Sequence, residues 1–303
     1  MARSCFLFPG QGAQYVGMAK ALCETLPAAR ALFDVAHDVL GFDLLSLCAN
    51  GPADRLNATD ISQPALYVAG LAALESLRAS NPQAIDSCVA TAGLSLGEYT
   101  ALTFAGSLSF QDGLRVVQAR GRAMQAAAEA TAGAMISMVG PDVAAVEQLC
   151  ADARERSHGI VQIANLLCPG NTVISGAADA VGVAESLANE RGFRGIRLAV
   201  AGAFHTDLMK PADETLAKAL NGVTLKSPRF QVWSNVDAKP HTDPGEIKDL
   251  LVRQVISPVR MEESLRGLLS VGCDQFYELG PGKVLAGLLK RVDRKMPCNN
   301  VAA

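Results

Sequence analysis

The chain has 303 residues, with 27 Lys+Arg against 30 Asp+Glu and a formal charge of −3. Half of it is hydrophobic, and its 27 Gly and 14 Pro stay well below the roughly 25–30% that marks low-complexity chains. Collagen, disorder and coiled coil are excluded, and the balanced charge removes the electrostatic footprint that nucleic-acid binding needs.

The pattern predicts a short buried strand over Ser4–Phe8, ending at the Gly-rich turn Phe8-Pro-Gly-Gln-Gly12. Helical patterns follow over Ala28–Leu40 and Pro64–Ala79, with Ser62 placed to cap the second near Pro64. Ser87–Ala92 reads as a second strand, Gly93-Leu-Ser-Leu-Gly97 follows directly, and Leu96–Ala105 reads as helical. Ser109, with Asp112 three residues later, resembles a capping box opening a helix to about Ala130.

From Gly133 the rhythm changes to compact units: strand Ala134–Val139, helix Asp142–Arg156, strands Ile160–Leu166 and Asn171–Ser175, helix Ala178–Arg191, strand Gly195–Val200. This is the split β-α-β-β-α-β order of ferredoxin-like units. Inside a longer α/β chain it reads as an inserted subdomain, residues 131–200, within a core made of 1–130 and 201–303. The larger pattern then resumes with helix Asp207–Leu220, strand Gln231–Ser234, helices Gly245–Val255 and Met261–Ser270, strand Gln275–Leu279 and helix Lys283–Val292.

None of the eight cysteines forms a C-x-x-C pair, so zinc-ribbon and thioredoxin-like readings lack support and no metal is expected. Most of the thiols are expected to be buried small hydrophobes. Met1-Ala2-Arg3-Ser4 leads into only Cys5–Phe8 before Pro9, too short for a signal-peptide core. The longest apolar run, Ala65–Leu74, is about half of what a membrane span requires. The expectation is a soluble cytoplasmic protein that engages neither membrane nor nucleic acid.

Gly93-x-Ser95-x-Gly97 between a strand and a helix is the signature of a nucleophile elbow. Flanking glycines let the backbone turn sharply and project the serine Oγ from the top of the sheet. The N–H groups that open the next helix favour a developing oxyanion. An ordinary strand-to-helix turn with an N-cap serine is the plainer alternative. Of the four histidines, His37 lies in a helical pattern, His158 in a polar turn and His241 in a Pro-flanked loop. His205 follows a strand, as Ser95 does, and is the candidate base by elimination. Gly10-Gln11-Gly12 fails as a dinucleotide fingerprint, because Tyr15 occupies the place of the third glycine. It remains either a donor of backbone N–H groups or a simple turn. Arg120 and Arg122 point to different sides of a helix, so at most one faces inward, and spacing alone favours solvated charges for both.

Together these pieces resemble the malonyl-CoA:acyl carrier protein transacylases of fatty-acid synthesis. The matching stretches are Phe8–Gln14, Gly93–Ala101, Ala119–Gln125, Gly202–His205, Ser234–Asp237, Leu251–Gln254 and Glu278–Val284, in family order. The resemblance implies an α/β-hydrolase-like core with an inserted ferredoxin-like subdomain. It implies Ser95 as nucleophile, His205 as base, and an oxyanion hole from the backbone N–H groups of Gln11 and Leu96. Arg120, rather than Arg122, matches the arginine that holds the malonyl carboxylate. Gln254 matches a glutamine whose backbone carbonyl orients the histidine, and Met124 and Phe204 match acyl-pocket positions.

The implied substrates are malonyl-CoA and an acidic acyl carrier protein, bound transiently, with CoA thioester and phosphopantetheine chemistry and no permanently bound cofactor. A serine thioesterase or lipase, delivering the acyl group to water, and a non-catalytic docking subunit are the alternatives. Carrier docking is expected on Lys283, Lys290, Arg291, Arg191 and Arg194. Leu94, Leu167 and Ser257 depart from the family pattern, which has His at the first position and Asn at the other two. The Gly-Ala-Phe-His form is closer to malonyl-selective acyltransferase domains of polyketide synthases.

Overall fold

All five residues of β1 (Ser4–Phe8) are buried, as expected of a strand with both faces of its sheet covered. In the computed structural model, helices α1 (Lys20–Thr25), α2 (Pro27–Leu40), α3 (Leu44–Asn50), α4 (Ala53–Asn57), α5 (Thr59–Ser80) and α6 (Pro82–Asp86) separate it from β2 (Cys88–Gly93). Next come α7 (Gly97–Phe104), α8 (Phe110–Ala130), β3 (Gly133–Val139), α9 (Val143–Ser157), β4 (Val161–Cys168), β5 (Asn171–Ala177), α10 (Ala178–Glu190) and β6 (Arg194–Arg197). The chain continues through α11 (Lys210–Asn221), β7 (Gln231–Trp233), β8 (Pro240–His241), α12 (Pro244–Gln254) and β9 (Val259–Arg260). It closes with α13 (Met261–Ser270), β10 (Gln275–Leu279), α14 (Val284–Val292) and β11 (Cys298–Val301). The structure describes residues 3–200 and 202–303; Met1 and Ala2 of the leader reading and the core's re-entry at position 201 lie outside them.

Two sheets organise the molecule. The larger has the order β11-β10-β1-β2-β7-β8, parallel from β11 to β7, with β8 added as an antiparallel edge. The smaller has the order β6-β3-β5-β4-β9. Its first four strands pair antiparallel in the order of a ferredoxin-like unit, and β9 joins β4 in parallel. The core segment thus contributes a strand to the smaller sheet, which the β-α-β-β-α-β pattern did not anticipate. The strand expected over Gly195–Val200 ends at Arg197, leaving Leu198 and Val200 free to face the cleft described below.

Local chemistry accounts for most boundaries. Pro27 opens α2 and Gly41, at φ 79°, ends it in the left-handed region that glycine enters without a Cβ clash. Ser109 Oγ accepts the Asp112 N–H at 3.0 Å and donates to its carboxylate at 2.8 Å, starting α8. The helix expected from Pro64 instead begins at Thr59, so Pro64 lies inside it and Ser62 is an interior residue, not a cap. A tertiary contact accounts for this: Gln125 Oε1 of α8 accepts the Thr59 N–H at 2.9 Å. Local pattern reading has no access to a cap supplied from another helix. α1, α3, α4 and α6 also escaped the pattern, being five to seven residues long. Among the described residues no helix is long and apolar enough to cross a membrane.

Candidate active site

β1 and β2 are neighbours in the parallel sheet, so their carboxyl ends open side by side, where α/β sheets place their sites. β2 ends at Gly93 and α7 begins at Gly97, which forces the chain to reverse within the Leu94-Ser95-Leu96 segment. Both glycines are sterically required. A Cβ on Gly93 would lie 1.9 Å from the Gly97 carbonyl carbon, and a Cβ on Gly97 would lie 2.0 Å from the Phe8 oxygen. Gly10 makes the third close approach, its Cβ position being 2.3 Å from the Leu94 oxygen. The Gly10-Gln11-Gly12 turn therefore packs directly on the elbow.

Ser95 sits at φ 51°, a region that costs a non-glycine residue roughly 1–2 kcal/mol and persists only when the surroundings hold it. Asn235, beyond β7, provides that hold. Its Oδ1 accepts the Ser95 N–H at 2.6 Å and its Nδ2 donates to the Gly93 oxygen at 2.8 Å. His205 is also left-handed, at φ 60°, in the loop before α11. Thr206 Oγ1 ties that loop to the Ala203 oxygen at 2.7 Å, and Gln162 of β4 donates to the His205 oxygen at 3.3 Å.

The side chains then converge on one oxygen. His205 Nε2 and Arg120 Nη2 each lie 2.9 Å from Ser95 Oγ. His205 Nδ1 lies 2.8 Å from the Gln254 backbone oxygen, which only accepts, so Nδ1 carries the proton and Nε2 is left to take one from Ser95. Burial, reinforced by the nearby Arg120 charge, pushes the His205 pKa down to about 4. The imidazole is therefore neutral, the form a general base requires.

Arg120 is 1% exposed and lies over the Tyr99 ring, 5.3 Å from its centroid. Nη1 donates to Gln63 Oε1 at 2.7 Å and Nη2 also to Gln254 Oε1 at 3.0 Å, while Nε has no partner. Arg122, two residues on, is exposed. The Gln254 amide nitrogen donates to the Ser95 oxygen at 3.0 Å and to Glu98 Oε2 at 2.7 Å. Burial pushes the Glu98 carboxyl up to about 7, against the pull of its hydrogen bonds and of Arg120.

Ser95, His205 and Arg120 line a cleft with a cavity volume of about 90 Å³. Gln11, Leu96, Met124 and Phe204 all border it, with Leu94, Gln63, Met135, Asn165, Leu198 and Val200. The backbone N–H groups of Gln11 and Leu96 have no acceptor among the described residues. The other three histidines are elsewhere: His37 is exposed on α2, His158 ends α9 and His241 pairs with Asp237 and Glu246. Among the described residues no group of three or more His, Cys, Asp or Glu side chains is placed to hold a metal.

Sequence reasoning named no role for Gln63, Glu98, Asn165 or Asn235. Glu98 and Asn235 lie within stretches already singled out; Glu98 is one helical turn after Ser95, whereas Asn235 lies 140 residues from it in the chain. Gln63 is hidden by a helix buried on all sides, whose periodicity marks no face.

An acyl transferase domain family model matches residues 5–301. The malonyl CoA-acyl carrier protein transacylase of Bacillus subtilis is 45% identical over 297 residues, covering 98% of this chain and 92% of that protein. A crystal structure of malonyl-CoA:acyl carrier protein transacylase from Xanthomonas oryzae superposes with a TM-score of 0.95 at 41% identity, covering 100% of this chain and 95% of that one. A malonyl-transacylase solved in complex with its type II PKS acyl-carrier protein gives a TM-score of 0.93 at 36% identity, covering 100% and 96% of the two chains.

Proposed function

The chain belongs to the acyl transferase domain family, and from that premise we propose that it moves malonyl from malonyl-CoA to the phosphopantetheine thiol of an acyl carrier protein. The observation that carries this reading is the buried Arg120 guanidinium, 2.9 Å from the oxygen of an elbow serine. A hydrolase for uncharged esters has no use for a desolvated cation there, whereas an acyl group ending in a carboxylate does.

In the first half-reaction Ser95 Oγ gives its proton to His205 Nε2 and attacks the thioester carbonyl carbon. The oxyanion is received by the free N–H groups of Gln11 and Leu96. Collapse breaks the C–S bond, CoA leaves as thiol with the proton from His205, and malonyl remains as an ester on Ser95. In the second half the carrier's phosphopantetheine thiol gives its proton to His205, its sulfur attacks the ester, and Ser95 leaves with that proton. Arg120 holds the distal carboxylate throughout, and Gln254 keeps the imidazole in the receiving tautomer through its backbone oxygen. Met124 and Phe204 wall the acyl pocket. No step calls for a metal or a permanently bound cofactor.

We read residues 1–130 and 201–303 as the catalytic core and 131–200 as an inserted subdomain; the pairing of β3 to β6 among themselves supports this. Of the residues expected to meet the carrier, Lys283, Lys290 and Arg194 are exposed, Arg191 pairs with Asp152, and Arg291 donates to the Pro169 oxygen. A cytoplasmic location fits eight cysteines that are all free.

Mixing the protein with malonyl-CoA and measuring its mass tests the reading. A malonyl adduct on Ser95, discharged by phosphopantetheinylated carrier protein and absent in Ser95→Ala, is expected. A Ser95→Ala enzyme that transfers malonyl at the parental rate would overturn it.

A further inference from the structure

Arg120 presents a physical contradiction. A fully buried guanidinium is costly unless its charge is compensated, yet a carboxylate in direct contact would occupy the place meant for the acyl carboxylate. Among the described residues Arg120 forms no ion pair; its direct acceptors are the neutral Gln63, Ser95 and Gln254 oxygens. The buried acidic group nearest in the network is Glu98, joined to Arg120 through a single side chain, the Gln254 amide.

We propose that Glu98 is a positioning residue for Arg120, serving as its counter-ion at one remove and acting through the Gln254 amide. This rests on the reading of Arg120 as the carboxylate holder and assigns how its charge is kept both compensated and available.

The Gln254 amide is polarised by its neighbours. Its nitrogen faces three acceptors, Glu98 Oε2 at 2.7 Å, the Ser95 oxygen at 3.0 Å and, farther off, Asn235 Oδ1 at 3.5 Å. The Ser95 backbone oxygen only accepts, and so does Glu98 when ionised, so the flipped amide is rejected and Oε1 is held toward Arg120 Nη2. The Glu98 oxygen also accepts the Asn235 N–H at 3.0 Å, which ties the same carboxylate to the residue bracing the elbow. The charged groups that face Glu98 are Arg120 and Asp237; burial, with Asp237 adding to it, pushes the carboxyl up to about 7, and Arg120 draws it back toward the ionised form.

Glu98→Gln removes the charge but retains an oxygen for both the Asn235 and the Gln254 donors, whereas Glu98→Asp retains the charge and shortens the reach. Serine acylation is measured with malonyl-CoA and with acetyl-CoA well above the Glu98 pKa of about 7, where its carboxyl is ionised, and the ratio of the two kcat/KM values is compared. With the counter-charge gone, the Glu98→Gln ratio is expected to rise about threefold to tenfold in favour of malonyl. The Glu98→Asp ratio is expected to stay within about twofold of the parent. An unchanged or lower ratio in Glu98→Gln overturns the proposal. If that variant does not fold, Gln254→Glu places a carboxylate directly on Arg120 and is expected to lower the ratio at least about tenfold; an unchanged ratio there is equally fatal. Arg120→Ala separates the two levels. Retention of the parental ratio in it sinks the reading of Arg120, while loss of the ratio there with none of the expected change in Glu98→Gln sinks only the role of Glu98.

Discussion

Arg120 Nη2 donates to Ser95 Oγ at 2.9 Å, so a buried cation rests on the same oxygen that His205 Nε2 reaches at 2.9 Å. The serine hydroxyl donates to the imidazole and accepts from the guanidinium. Nucleophile activation and recognition of a carboxylated acyl group therefore share one atom.

Truncating the cation separates the two substrates. Arg120→Ala is expected to reduce malonyl transfer about 10²-fold or more, the loss of charge-assisted bonds of roughly 1.5–3 kcal/mol each. Acetyl transfer, with no carboxylate to hold, is expected to fall far less. Parallel acylation rates with the two CoA esters decide the matter, and an equal loss on both would count against the role of Arg120.

The elbow depends on Asn235. Asn235→Ala leaves the Ser95 N–H and the Gly93 oxygen without their side-chain partners, at an expected cost of about 1–3 kcal/mol in urea unfolding. Because the left-handed Ser95 is no longer held, acylation is expected to slow about tenfold to a hundredfold. A variant of parental stability and rate would show that the brace is dispensable.

Gly97→Ala is predicted to be worse for the fold than for composition. The new Cβ would lie 2.0 Å from the backbone oxygen of Phe8, and neither atom belongs to a flexible side chain. An overpacking cost above about 3 kcal/mol is expected, seen as loss of soluble folded protein or a large fall in melting temperature. Gly287, whose Cβ position meets nothing, supplies the control, and Gly287→Ala is expected to be tolerated.

His205 gives stability a defined pH dependence. Its folded pKa is lowered from 6.5 to about 4 by burial and then by Arg120. Between those values the unfolded chain binds the proton and the folded chain does not, so this contribution to stability falls as pH drops from 6.5 toward 4. His205→Asn is expected to flatten the slope of the urea midpoint across that window. For the parent enzyme, acylation by acetyl-CoA is expected to lack an inflection near 6.5, because the base is already neutral there. An inflection at 6.5 that persists in Glu98→Gln, and so does not arise from the Glu98 carboxyl at about 7, would indicate a solvated imidazole.

The strands and most long helices were legible because burial imposes period and punctuation on local sequence. Ser4–Phe8 reads as a strand since all five side chains are buried, and Ser109 announces α8 by its own hydroxyl. The elbow was legible for the same reason: a turn this tight admits only glycine at 93 and 97. Gln63, Asn235 and the early start of α5 were not legible, because each depends on a partner distant in the chain. Thr59 is capped by Gln125, and Ser95 is braced by Asn235.

By itself the sequence determined the α/β architecture, the β-α-β-β-α-β order and the serine elbow, all carried by short-range periodicity and by glycine's missing Cβ. The resemblance of its motif blocks added the roles expected of His205, Arg120 and Gln254. Only the tertiary structure decided that β9 would join the smaller sheet, and it buried Arg120, the arginine the resemblance had singled out, while Arg122 stayed exposed. It alone set a neutral amide between Arg120 and Glu98. Compensation of a buried charge is a property of three-dimensional neighbours, and here those neighbours come from α5, α7, α8 and α12, which no local window spans.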